Sequence, residues 1–122
     1  MSNNESLFGE VVYSYTRANA IADGVLVDLS HVETVKTNWK CPMACTDTVW
    51  NLIERAIQAG KDIEGIMHDI AVCAHAEARR VGRRDTICFM VWIGVCLHEL
   101  KLHIGPGDTR EPVMTLMLPC ED

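Results

Sequence analysis

The sequence predicts an α+β domain: an antiparallel sheet of three to four strands with a helical hairpin packed on one face. Three observations carry this expectation. Residues 46–81 hold two apolar stripes at the helical period of 3.6, separated by Gly60. After Gly82 the apolar period changes to 2. Gly105-Pro106-Gly107-Asp108 then marks a turn between two strand-like segments.

The chain has 122 residues, enough for one domain with its own core. Residues 1–9 read as a loose N-terminal segment and 10–122 as the domain. Thr16 is a good N-cap for a short helix carrying Ala18, Ile21 and Ala22 on one face, and Gly24 stops it. Val25-Leu26-Val27-Asp28-Leu29 follows as a β-branched strand. Val32, Val35 and Trp39 suit a second short helix, which Pro42 breaks.

Thr46 caps the first long helix, whose stripe is Val49, Trp50, Ile53, Ala56 and Ile57. Asp62 caps the next, which carries Ile63, Ile66, Met67, Ile70, Ala74, Ala78 and Val81. Thr86 to Ile93 is a strand apolar on both faces. In the next strand His98, Leu100, Leu102 and Ile104 point one way, and Glu99, Lys101 and His103 the other. The glycines of the Gly-Pro-Gly-Asp turn are expected to supply positive φ, and Pro112 opens a last strand, Val113 to Leu118. The helical hairpin accounts for one face of this sheet. The other needs cover from the N-terminal region or from a second subunit, and a homodimer is expected.

Lys and Arg total 11 against 17 Asp and Glu, a net charge of −6. That balance argues against general binding to a nucleic-acid backbone and permits an acidic surface that meets a basic partner. The first residues lack the order of a signal peptide, and the apolar run Ile87 to Leu97 is too short to span a bilayer. A cytoplasmic protein with no membrane association follows, its six cysteines reduced.

Several residues bear chemistry. Cys41 and Cys45 are thiols that could hold zinc, though with three residues between them instead of the usual two and no second close pair. No cofactor is otherwise expected. His68 and His75 lie seven apart on the long helix, roughly 10 Å by helix rise, and read as solvent-facing imidazoles. His98 falls on an apolar strand face, where an imidazole needs a partner. Arg79, Arg80, Arg83 and Arg84 make a local basic patch at a helix end, where cations favour the dipole. Asp108 and Glu111 form a carboxylate pair beside the turn. No GxxxxGK[ST] loop, nucleophile elbow or HExxH is present, and no catalytic set can be assembled.

Tyr15-Thr16-Arg17-Ala18-Asn19-Ala20-Ile21-Ala22-Asp23-Gly24-Val25-Leu26-Val27-Asp28, with Gly105 to Asp108, Thr115 to Pro119 and Glu121-Asp122, resembles the opening and closing signatures of an uncharacterised family. Its members are small proteins of bacteria, plasmids and phages, and its domain has no assigned function. The resemblance implies a cytosolic accessory protein, often carried on mobile elements, and implies no reaction. Among the signature residues, Arg17, Asp23 and Asp28 are polar beyond the needs of caps and turns. The expected function is therefore a non-catalytic binding or regulatory module acting through a protein partner, in host defence or replication. The alternatives are a ligand-binding domain or enzyme using Arg17, Asp23, Asp28 and His98, and a zinc module on Cys41 and Cys45.

Overall fold

A computed structural model describes residues 15–82 and 84–121. The expected loose segment 1–9 lies outside the described residues, as does Arg83. Helix α1 is Arg17–Ala22, strand β1 Leu26–Asp28 and helix α2 Glu33–Asn38. Strand β2 is Met43–Thr46, and helices α3 and α4 are Asp47–Gln58 and Ile63–Val81. Strands β3, β4 and β5 are Thr86–Ile93, Cys96–Pro106 and Pro112–Met117. The α+β class stands as the periodicity predicted, and α3 and α4 follow one another across residues 59–62.

The sheet departs from the expectation in strand number and in strand direction. Among the described residues it has five strands in the order β1-β2-β5-β4-β3, and it is mixed. The meander β3-β4-β5 is antiparallel throughout, but β2 pairs with β5 in parallel and carries β1 antiparallel on its outer side. Strand β2 was not foreseen. All four of its residues are buried, so it lacks the alternation that marks a half-exposed strand, and its last residue doubles as the cap of α3.

The core lies between the sheet and helices α2 to α4. Met43, Cys45, Leu100 and Leu116 from the sheet, with Val49, Ile53, Met67 and Ile70 from the helices, have no exposed surface. Each large apolar side chain buried this way contributes about 1.5–3 kcal/mol. Register puts Ala44, Val113, Thr115 and Met117 on the opposite face, next to Lys101 and His103. Helix α1 lies there, because Arg17 donates to Thr115 Oγ1 at 2.8 Å. Helix α1 thus covers part of the face opposite α3 and α4, one of the two covers expected for it.

Local interactions explain the element ends. Thr16 Oγ1 accepts from Asn19 N and Thr46 Oγ1 from Val49 N, as the sequence predicted. Helix α2 begins at Val32, which has no capping side chain. Its first amides, Glu33 and Thr34, donate to the Glu64 carboxylate of α4 instead. Trp39 terminates α2 in extended conformation, so it is not part of that helix's apolar stripe. The β3–β4 connection is Gly94-Val95 with φ +67° at Gly94, the two-residue turn that suits a tightly twisted hairpin.

The β4–β5 turn corrects another expectation. The left-handed residue is Arg110, φ 70°, and neither Gly105 nor Gly107 takes a positive φ. These glycines supply room: a Cβ on Gly107 would stand 2.8 Å from Val113 Cγ1, and one on Gly105 would stand 2.9 Å from His103 Nε2.

Candidate functional site

Arg17 leaves α1 toward the sheet, where its guanidinium donates to Thr115 Oγ1 at 2.8 Å and Met114 O at 2.7 Å. Asp108 faces the start of the same helix and accepts from the amides of Arg17 and Ala18 at 2.8 and 3.0 Å. Partial burial works against the Arg17 charge, and the nearby carboxylates of Asp28, Asp108 and Glu111 support it. Glu111 is held below the usual carboxylate range, chiefly by the Thr109 hydroxyl at 2.5 Å. Each of these contacts closes a cap or a turn, so Arg17 and Asp108 lace the two signature segments together. Asp23 accepts from the Tyr15 hydroxyl at 2.7 Å, and Asp28 accepts from Ser30 N at 3.0 Å.

His98 is elsewhere. It shares the helical face of the sheet with Leu100 and Leu102, opposite the face that Arg17 reaches. It lines a groove of about 430 Å³ with Leu52, Arg55, Ala56, Ile93 and Val95. The sequence-predicted set Arg17, Asp23, Asp28 and His98 is thus divided between the two faces of the sheet.

Cys45 sits in the core with its thiol pushed up to about 12, first by burial and then by Asp47 and Glu121. Metal ligation needs the thiolate, which this setting disfavours. Cys41 lies outside β2, half-buried before Pro42. Among the described residues no three His, Cys, Asp or Glu side chains converge as a metal site. In the basic patch Arg80 pairs with Glu77 at 2.6 Å on the same helix, and Arg79 and Arg84 are exposed.

Two features escaped the sequence. His75 is half-buried and stacked on Trp39, ring centroids 4.4 Å apart and planes 14° from parallel, so it is not a solvent-facing imidazole. Trp39 Nε1 is buried, with no hydrogen-bond partner among the described residues. Only tertiary packing between the end of α2 and α4 brings these rings together. Glu121 accepts from Thr46 Oγ1, Thr48 Oγ1 and Leu118 N, which fastens the end of the chain to the start of α3.

The remaining surface feature is apolar. On the face opposite α3 and α4, Met90 is 50% exposed, Trp92 59% and Leu97 47%, and Val95 at the hairpin tip is 86% exposed. Val72 of α4, 54% exposed, lies along the same edge as Trp92 in a groove of about 410 Å³ with His68, Asp69, Cys73 and Val91. Among the described residues nothing covers this end of the sheet, whereas Ala44, Val113 and Met117 on the same face are buried. No helix of the described residues is long and apolar enough to cross a membrane.

Comparison with protein-family models, with curated proteins and with solved structures returns no match to this chain.

Proposed function

We propose that the chain is a non-catalytic protein-binding or regulatory module that works as a homodimer in the cytoplasm, with the β3–β4 end of the sheet as its contact surface. One observation carries the reading: Met90, Trp92, Val95 and Leu97 form a contiguous exposed apolar surface on an otherwise acidic chain. Such surfaces mark association sites on soluble domains. The polar residues of the two signature segments support the same reading, since Arg17 and Asp108 are used in holding α1 to the sheet. The resemblance to small proteins of bacteria, plasmids and phages points to an accessory role, with a host defence or replication component as partner.

Mass measurement by light scattering at high micromolar concentration tests the dimer. A species of twice the 13.6 kDa chain mass is expected, and a monomer sinks the reading. Capture from the native host, repeated with Trp92→Glu, tests the surface. Partners lost with the substitution are the ones that use it.

A further inference from the structure

Strand β3 ends the sheet among the described residues, and its free edge has an uncommon character. Its eight residues, Thr86 to Ile93, include no charge, no proline and no glycine. Natural sheets usually protect such an edge with Lys, Pro or a bulge.

The direction of its backbone groups follows from the hairpin. Ile93 and Cys96 close a two-residue turn, so this pair exchanges both hydrogen bonds, and alternate pairs do likewise. The bond from Ile104 N to Asp85 O at 2.8 Å continues that alternation beyond the strand. Ile87, Phe89, Val91 and Ile93 therefore bond inward to β4. Thr86, Cys88, Met90 and Trp92 direct their N–H and C=O groups away from the sheet, and they carry the exposed side chains of the uncovered face.

Helix α4 runs beside this edge in the opposite direction. Its C-terminal end joins β3 through residues 82–85, and its residues His68 and Asp69 lie next to Trp92. At helical spacing, Gly65, Asp69, Val72, Ala76 and Arg79 form the stripe that faces outward along the edge, and all five are exposed. The stripe is acidic at one end, basic at the other, and small or apolar between.

We infer that two copies pair antiparallel through the edges of β3 left open by the described residues, forming one continuous sheet. The inference rests on the homodimeric reading and specifies how the dimer is built. A two-fold axis at Phe89 uses all four outward-bonding residues: Thr86 lies opposite Trp92 of the second copy, and Cys88 opposite its Met90. The same axis sets the two α4 helices antiparallel, with Val72 near Ala76 and Asp69 near Arg79 across the interface. Opposite charges meet at both ends, and small side chains let the helices approach between them. Pairing of the edges joins the backbones of Thr86, Cys88, Met90 and Trp92 and brings the exposed Val72 of each α4 against the second copy, while Val95 and Leu97 stay on the open face of the joined sheet. In a chain of net charge −6, this uncharged strand is where two copies can meet without like-charge repulsion.

The experiment is sedimentation of the full chain and its variants, with circular dichroism to verify folding. Met90→Glu lies on an exposed position and is expected to weaken dimerisation at least a hundredfold. Asp69→Arg and Arg79→Asp each weaken it about tenfold, and the two together restore it. Met90→Cys, mildly oxidised, gives a disulfide-linked dimer through Cys88, because opposed residues lie within disulfide reach. A dimer indifferent to Met90→Glu and to both charge reversals overturns the edge pairing and leaves the dimeric reading standing. A chain that is monomeric in every form overturns both.

Discussion

At its β1–β2–β5 side the sheet is packed on both faces, whereas at its β4–β3 side the described residues cover one. The strands differ little in composition. Met114, Leu116 and Met117 of β5 are as apolar as Phe89, Met90 and Trp92 of β3. What differs is what the chain brings to them. Asp108 and Arg17 fasten α1 over β5, and Glu121 fastens the C-terminal turn at Thr46. Strand β3 has α4 on one side and, among the described residues, an unpaired edge on the other. Apolar composition therefore does not separate core from contact surface here; position in the strand order and the reach of the two chain ends do.

Substitutions of one residue type at the two sides break the comparison most directly. Leu116 has no exposed surface, and Leu116→Ala is expected to cost about 2–5 kcal/mol in denaturant unfolding. Leu97→Ala, on the exposed side, should stay within about 0.5–1 kcal/mol in the same measurement made at a concentration low enough to keep the chain monomeric. Equal costs would mean that the hairpin end is as buried in solution as β5.

The next effect concerns the fastening itself. Asp108→Ala removes two bonds to the first amides of α1 and should cost about 1–2 kcal/mol. Near-ultraviolet circular dichroism of Tyr15 should change with it, while the helical signal of α3 and α4 persists. A change confined to α4 would contradict the placement of α1.

The smallest effect is electrostatic. Hydrogen bonds from Thr34 and Glu33 hold the Glu64 carboxylate below its usual range, the Thr34 hydroxyl foremost. A depressed carboxylate stabilises the fold above its unfolded pKa, about 4.3, and that contribution is lost as pH falls through the lower folded value. Glu64→Gln should therefore flatten the decline of Tm below about pH 5 by on the order of a degree or two. Parallel curves for the two proteins would show that Glu64 does not cap α2 in solution.

Much of the architecture was legible because it is local. Thr16 and Thr46 as caps, Gly60 between the helices, and the change of period after Gly82 are each written within a few residues. Strand β2 was not legible, since it is four residues long, buried throughout and preceded by Pro42 in a segment whose cysteines suggested a metal. Its parallel partner is about 70 residues away, and no local pattern encodes that pairing. The exposed apolar face was legible as a surplus, because a strand apolar on both sides demands two covers. The division of Arg17 from His98 was not, since it depends on which face α1 chooses.

The link between Asp108 and α1 also bears on the order in which the molecule assembles. It joins positions 91 and 90 residues apart, and the bond from Arg17 to Thr115 spans 98. A helix of six residues has no stability alone, so α1 cannot persist until the β4–β5 hairpin presents its carboxylate. The helical hairpin and the three-stranded meander, whose contacts are short in sequence, can form before it. Docking of α1 is then a late step of folding, and the first to reverse when the protein opens.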